Sequence, residues 1–441
     1  MTMLHLEFLG QVRIALGGEP ISELASDKLV ALLAYLALTG DTFSRPQLEA
    51  LLWGESPPEN AQTSLRTAVY NLNKRLDNAL QSTRRTIWFA PERPFTLDVQ
   101  QFRTLISQGD SDSLQTAVSL YRGDFLAGLT IADAPEFEMW LLQERERLRL
   151  DMLKALEKLM DMWLVNGRVD LAITAARRLL EIEPWRESTH RDLMRILARS
   201  GDYNGAIKQY QQCCAMLTAE LDVPPMPETE ALYAHILTLR QRPPQSNLPT
   251  TLPELVGREP ELALAATQLA DPACRLLVIS GMGGLGKTSL ALAIAARHSR
   301  HFLDGVYVVS LAGLESEALL DTAVAEALNI PFPAAVSPRA YLCQQLKSRE
   351  LLLVLDNAEH LLTAVEAFIQ TLLQAAPAVK IILTSREKPR LRASHLPLAG
   401  LTLPDAAQTA VLPSPATILF AQHARRVRPD FSLADEWAAV V

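Results

Sequence analysis

Cysteine is scarce in this chain. Its 441 residues carry only Cys213, Cys214, Cys274 and Cys343. None has a metal-ligand spacing with histidine, and the adjacent pair suits helix packing better than a redox couple. Such usage points to a reduced, cytosolic protein rather than a disulfide-stapled secreted one. Long apolar runs are also missing. The longest, Leu29 to Leu38, is far short of the ~20 residues a membrane-spanning helix needs, so no membrane span is expected. Met1 to Gly10 holds an acid and no basic n-region, so no secretory signal is read there. Positive charge is not in excess: the net charge is −8, and any nucleic-acid surface must be local. The rest is ordinary for a globular chain, with 49% hydrophobic and 21% charged residues. The length suggests roughly three domains.

The most specific feature present is Gly281-Met282-Gly283-Gly284-Leu285-Gly286-Lys287-Thr288. It fits G-x-x-x-x-G-K-[ST], a loop that cradles nucleoside triphosphates. The apolar run Leu276 to Ile279 leads in as a strand, and Ser289 to Arg297 leads out as a helix. Gly281, Gly283, Gly284 and Gly286 let the backbone wrap phosphates and aim N–H groups at them. The helix start at Ser289 adds its positive end. Lys287 suits the β- and γ-phosphates, and the Thr288 hydroxyl suits Mg²⁺. ATP or ADP with Mg²⁺ is therefore the expected ligand.

Composition divides the chain into segments. Residues 1–98 mix strands and short helices, and 99–240 read as helix almost throughout. Residues 241–253 hold Pro243, Pro244, Pro249 and Pro253, the composition of a linker. From 254 to 441 apolar strands alternate with helices, the pattern of an α/β domain with a parallel sheet. In the helical segment, the stretch Gly167 to Ile173 recurs as Gly201 to Ile207. The offset of 34 residues is the tetratricopeptide period. Ala172 and Ala206 then fall where paired helices pack closely, and Phe137 to Trp163 supplies an earlier, less regular unit. Such stacks present surfaces to other proteins and do no chemistry. A generic helical bundle is the plainer alternative.

The first segment opens with a hairpin, Leu4 to Phe8 and Val12 to Leu16. A helix follows over Asp27 to Leu38. A second starts at a Ser44 cap with Gln47 three residues on, and a third at a Ser56 cap with Glu59 completing a capping box. The third is amphipathic, with Ala61, Leu65, Ala68, Val69, Leu72 and Leu76 on one face. Thr63, Arg66, Thr67, Tyr70 and Lys74 fall opposite, flanked by Asn71. These side chains can bond bases or phosphates. Arg84 to Phe89, a turn at Pro91 to Pro94, and Phe95 to Leu97 read as a hairpin whose edge carries Arg84 and Arg85. Between Asn60 and Arg93, six cations (Arg66, Lys74, Arg75, Arg84, Arg85, Arg93) face two acids (Asp77, Glu92), a local excess of four positive charges. Three helices and a hairpin make a winged helix-turn-helix, whose third helix enters the major groove of double-stranded DNA.

This pattern resembles the OmpR/PhoB-type winged helices, and more closely the DNA-binding domain of the SARP/AfsR-like regulators. The resemblance rests on Leu51-Leu52-Trp53-Gly54, Ser64-Leu65-Arg66 and Leu72-Asn73-Lys74. The stretch from Tyr121-Arg122-Gly123-Asp124-Phe125-Leu126 through Trp140 to Tyr233 is similar to the bacterial transcriptional activator domain that follows it in that family. Glu144 to Leu148, Arg177 to Leu180 and Pro227-Glu228-Thr229 are especially alike. The resemblance covers residues 4 to 240. It implies an activator that binds promoter DNA, often at direct repeats, with RNA polymerase a candidate partner, in a bacterial cytoplasm at the nucleoid. Where family members often carry Arg-x-Arg, this chain has Asn71-Leu72-Asn73, so base preferences do not transfer. No receiver domain precedes the winged helix, so direct phosphorelay control is not expected.

From Leu255 onward the chain resembles the NB-ARC/STAND signalling ATPases. Leu255-Val256-Gly257-Arg258-Glu259 looks like that group's opening motif, which implies Val256 and Arg258 against the adenine and ribose. Leu351 to Asn357 looks like its Walker B strand, which puts Asp356 at a strand end where Mg²⁺ needs a carboxylate. Glu359 is the candidate for activating water. Ile381 to Arg386 resembles the sensor strand, which implies that Arg386 reports on the γ-phosphate. Pro415 and Leu419-Phe420 look like the start of a lid. The lid's Gly-x-Pro motif does not occur before Val441, so the ATPase module is expected to be C-terminally incomplete. Slow ATP hydrolysis serving as a switch, and homo-oligomers in the ATP state, follow from the same resemblance. Two alternatives stay open: a signalling ATPase whose N-terminal module binds protein rather than DNA, and a transcription factor whose ATPase is vestigial.

Overall fold

The structure is a computed structural model that describes residues 3–21, 24, 26–90, 94–252, 254–332, 337–403, 414–428 and 430–432. They fall into two compact units, Met1–Thr189 and His190–Val441.

In the first unit β1 (Leu4–Glu7) pairs antiparallel with β2 (Arg13–Leu16), which pairs with β3 (Glu19–Pro20). This is the expected opening hairpin. α1 (Asp27–Thr39) buries Leu29, Leu32, Leu33 and Leu36 and ends at Gly40 in the left-handed conformation. β4 (Phe43–Ser44) leads into α2 (Arg45–Trp53), and Ser44 and Gln47 form the expected capping box. α3 spans Pro58–Leu76 and buries all six residues of the expected apolar face. Its start differs from expectation: Pro57 is the N-cap and Ser56 caps nothing. A residue before proline is pushed out of the α region, so Pro57 stays extended and Pro58 takes the first helical position, where its missing N–H is harmless.

The hairpin also differs. β5 (Leu80–Ser82) pairs antiparallel with β6 (Thr86–Phe89), which also pairs with β4. β7 (Phe95–Leu97) is not the hairpin's second strand. It pairs parallel with β1 in the other sheet. Arg84 and Arg85 therefore sit at the hairpin tip, not along its edge. Most of the expected turn from Pro91 to Pro94 lies outside the described residues.

α4 (Asp98–Gln108), α5 (Ser111–Leu120), α6 (Pro135–Val165) and α7 (Val169–Ile182) complete the unit. The seam expected at 98/99 runs through a continuous core. The buried Asp98 carboxylate accepts the N–H groups of Phe8, Leu9 and Val99 at 2.8–2.9 Å. Burial pushes its pKa up, against the pull of these amides and Arg122. The Arg145 guanidinium donates to the carbonyls of Phe125, Leu126 and Leu129. Trp140 packs its ring on Tyr35 and Phe125.

α8 (Glu187–Arg199) runs across the division between the units. The second unit continues with α9 (Tyr203–Glu220) and α10 (Pro227–Gln241), whose Tyr210 and Tyr233 rings stack at 3.9 Å. The repeat positions Ala172 and Ala206 are both fully buried, and Cys213 is buried on α9 as packing. The order then runs α11 (Glu259–Ala270), β8 (Leu276–Ser280), α12 (Lys287–Arg297), β9 (Val306–Ser310), α13 (Leu320–Ala327), α14 (Pro338–Leu346), β10 (Leu352–Asp356), α15 (Leu362–Ala375), β11 (Lys380–Ser385), β12 (Ser394–Pro397) and α16 (Pro415–Val427). The sheet order is β12-β8-β11-β10-β9, and every pairing is parallel. β8 and β10 are buried throughout, as expected of strands covered on both faces.

The expected linker is not a free tether. Ser246 Oγ donates to the Val306 carbonyl, and the Asn247 side-chain amide exchanges two hydrogen bonds with Val308. The segment thus satisfies the outer edge of β9 as a strand would. His235 pairs with Asp304 at 2.9 Å, and Arg199 pairs with Glu350. These contacts join α8 and α10 to the segments that flank β9 and β10 within the second unit. Among the described residues no helix is long and apolar enough to cross a membrane.

Burial holds the His298 ring, at the end of α12, below its ordinary pKa near 6.5, while its Nδ1 meets the Ile294 carbonyl at 2.8 Å. A depressed folded-state pKa means the unfolded chain binds the proton more readily. The contribution is present above pH 6.5 and is lost as pH falls toward the folded value. Thermal melts of the His298→Gln variant between pH 7 and pH 5 should therefore show a shallower loss of stability than wild type.

Candidate nucleotide site and nucleic-acid face

Register builds the candidate nucleotide site. Ser280 of β8 lies beside Ser385 of β11, and Leu355 of β10 beside Leu383 of β11. The loop after β8, the carboxylate ending β10 and Arg386 after β11 therefore emerge at one edge. This is the C-terminal edge where open parallel sheets bind ligands. Gly284 and Gly286 hold φ of +80° and +86°, which residues with a Cβ rarely adopt. At Gly281 a Cβ would come within 2.7 Å of the Leu398 carbonyl. The loop is thus shaped by glycine where the motif demands it. Lys287 opens α12, and its Nζ donates to the carbonyls of Gly281 and Met282, both at 2.9 Å. Ser289 is half-buried in the same first turn.

Thr288 Oγ1 donates to the Asp356 carboxylate at 2.9–3.0 Å. Thr384 Oγ1, fully buried, donates to the same carboxylate at 2.6 Å and accepts the Asn357 N–H at 2.8 Å. Asn357 turns the chain at φ +66°. A hydroxyl and a carboxylate are the hard oxygens that Mg²⁺ accepts, and such sites leave the remaining positions to phosphate and water. Among the described residues no cluster of three or more His, Cys, Asp or Glu could hold a metal alone. The Thr288 hydroxyl and the Asp356 carboxylate fit Mg²⁺ as two of its oxygen donors. Thr384 falls within the stretch that resembles a sensor strand, but that resemblance gives it no role. Only the pairing of β10 with β11 shows that it fixes Asp356.

Three predicted residues, Arg258, Glu359 and Arg386, have partners within the protein. Arg258 is buried. Its guanidinium pairs with Glu261 at 2.7 Å and donates to the carbonyls of Leu285 and Ala399 at 3.2 and 2.8 Å. It ties the phosphate loop to the chain after β12. Gly257 beside it has φ +67°, and a Cβ there would lie 2.4 Å from the Pro415 side chain, so α16 starts against this motif. Val256 is half-buried. Glu359 and Arg386 pair with each other at 2.9 Å.

In the first unit the predicted face of α3 is exposed: Thr63, Arg66, Thr67, Tyr70 and Lys74 reach solvent, and Asn71 is half-buried. The Thr63 and Thr67 hydroxyls donate to the carbonyls of Glu59 and Thr63. Asn73 is spent structurally. Its amide donates to the Leu80 carbonyl at 2.7 Å and accepts the Leu80 N–H at 2.8 Å, clamping α3 to the hairpin. Asn73→Ala strands both Leu80 groups, and a loss of about 1–3 kcal/mol is expected, read as a lower denaturation midpoint.

A cleft of about 770 Å³ lies between α2, α3 and the hairpin tip. Arg45, Arg66, Arg84 and Arg85 line it, with Glu49, Gln62 and Thr83. Arg45 belongs to none of the sequence patterns that point to DNA. Its guanidinium donates to the Thr83 carbonyl at 3.0–3.2 Å, and its backbone N–H donates to the Arg85 carbonyl. Thr83 Oγ1 accepts the N–H groups of Arg85 and Thr86. These bonds tie the tip to α2, and both of its arginines are exposed.

Residues 95–237 match the bacterial transcriptional activator domain, and residues 271–388 match an AAA domain. The chain is 28% identical over 418 residues to the regulatory protein AfsR of Streptomyces griseus, covering 87% of this chain and 42% of that one. It is 29% identical over 400 residues to the regulatory protein AfsR of Streptomyces coelicolor, covering 80% and 39%. The chain thus spans about two fifths of the length of either relative. Among solved structures, Mycobacterium tuberculosis EmbR in complex with a low-affinity phosphopeptide aligns with a TM-score of 0.42 at 23% identity, over 56% of this chain and 67% of that one.

Proposed function

We propose that this chain is a DNA-binding transcription regulator, an activator, governed by an ADP/ATP-dependent switch of the STAND type. Its first hundred residues act as a winged helix on promoter duplexes, with α3 in the major groove and the hairpin tip on the backbone. The tetratricopeptide-like helices contact partners such as RNA polymerase. The activator-domain match and the AfsR-like relatives support the regulator reading. The AAA-domain match supports nucleotide binding.

One observation carries the switch: Thr288 and Thr384 both donate to Asp356 at the mouth of a phosphate loop whose turns need glycine. Lys287 and the α12 N-terminus would hold phosphate, and Thr288 with Asp356 would hold Mg²⁺. Bound ATP supplies a terminal phosphate whose charge ADP lacks. A ligand shifts such an equilibrium only through its different affinity for the two states. Hydrolysis on this reading is slow and acts as a timer, and oligomers in the ATP state belong to the same proposal, as does a cytoplasmic, nucleoid-associated location.

Electrophoretic retardation of promoter duplexes by the full chain tests the DNA half. Retardation that weakens steeply with salt supports it. No duplex affinity even at low salt would favour the other class of reading, a signalling ATPase built on a helical protein-binding scaffold.

A further inference from the structure

The nucleotide reading leaves an ion pair unexplained. Arg386, the residue expected to meet a terminal phosphate, is bonded through Nε to Glu359 Oε1 at 2.9 Å. Its guanidinium also lies over the phosphate loop: a Cβ on Gly283 would be 3.6 Å from Arg386 Cζ. The two partners differ in setting. The Arg386 side chain is 63% exposed and that of Glu359 only 18%. Glu359 Oε2 is buried with no hydrogen-bond partner. A carboxylate with one orphaned oxygen is poorly solvated and leans on its single cation. Arg386, by contrast, is free to swing.

We propose that Glu359 is a specificity-determining residue acting through Arg386: it is the resting counter-ion that Arg386 must leave before it can engage a terminal phosphate. This rests on the nucleotide reading above and adds a regulatory element to the same site. The guanidinium has two anionic stations, Glu359 and the loop mouth beside Gly283. Occupying the second empties the first. While the pair holds, Glu359 is neutralised and its Oε1 is taken by Arg386. Once Arg386 departs, the buried carboxylate faces the site uncompensated. The pair therefore sets the ATP-to-ADP preference, because only a ligand with a γ-phosphate competes for Arg386. It also ties the readiness of Glu359 to that phosphate's presence.

The test is direct binding of fluorescent ATP and ADP analogues, with Mg²⁺, to four forms of the full chain: wild type, Glu359→Gln, Arg386→Ala and the double variant. Folding of each is checked by thermal melts. Removing the competing carboxylate should raise the ATP-to-ADP affinity ratio by roughly two- to fivefold, the range for a part-exposed ion pair. In the Arg386→Ala background the same change should leave the ratio where Arg386→Ala alone puts it. An unchanged ratio in Glu359→Gln overturns the proposal. So does an equal rise with and without Arg386, since Glu359 would then act by its own charge. If wild type binds ADP but the ratio does not respond, only this proposal fails. If wild type binds neither nucleotide, the nucleotide reading fails and the proposal goes with it.

Discussion

Replacing Arg66, Lys74, Arg84 and Arg85 together with alanine is expected to flatten the salt dependence of duplex binding. Each cation withdrawn from a phosphate lowers the slope of log affinity against log salt by about 0.9. Withdrawing four would take away about 3.6, on the order of a thousandfold in affinity at 0.1 M salt. All four side chains are exposed, three of them line the cleft beside α3, and none is needed to bury a core residue. The variant should therefore melt as wild type does, which separates weaker phosphate binding from impaired folding. Fluorescence anisotropy with a labelled duplex, over a salt series, reads the slope. An unchanged slope would mean that this face does not meet DNA. The single change Arg45→Ala is a different case, because that guanidinium holds the Thr83 carbonyl at the hairpin tip. Its removal should loosen the tip as well as delete a charge.

The second large effect is at Lys287. Its ammonium now donates to two loop carbonyls, at Gly281 and Met282, and it is the cation that the motif places on phosphate. A hydrogen bond to a charged group contributes about 1.5–3 kcal/mol, so Lys287→Ala should weaken ATP and ADP binding by roughly ten- to a hundredfold. Isothermal titration with each nucleotide measures this. Equal binding by wild type and variant would favour the reading in which the ATPase is vestigial.

Local chemistry makes much of this structure legible from residue order. The Ser44 and Gln47 box, the apolar face of α3 and the glycine loop between a buried strand and a helix are each encoded within a few residues. Expectation and structure part where the decisive partner is distant in sequence or where two local rules compete. Phe95 to Leu97 looks like a returning hairpin strand, yet its backbone groups find β1 some ninety residues earlier. Ser56 has the right composition for a cap, but two following prolines move the helix start beyond its reach. Residues 241–253 have linker composition, but composition says nothing of the unsatisfied edge of β9 that Asn247 fills.

The candidate site shows the same division. The motif names Lys287 and Thr288, and the strand names Asp356. Thr384, which fixes Asp356, is visible only once β10 and β11 are paired. Resemblance implies Arg258 against the adenine and ribose, and sequence alone does not show that its donors also reach Glu261 and the carbonyls of Leu285 and Ala399. The Glu359–Arg386 pair joins two residues to which the resemblance gives separate tasks.

The central claim is that nucleotide state and duplex affinity are coupled within one polypeptide. Coupling free energy is reciprocal, so it can be measured from either side. The decisive measurement is duplex affinity of the full chain saturated with Mg²⁺-ADP or with a non-hydrolysable ATP analogue, matched by affinity for each nucleotide with and without duplex. The account predicts that the two nucleotides give different duplex affinities, and that duplex shifts their relative binding by the same factor. Identical duplex affinities in both states, with both nucleotides demonstrably bound, would contradict it.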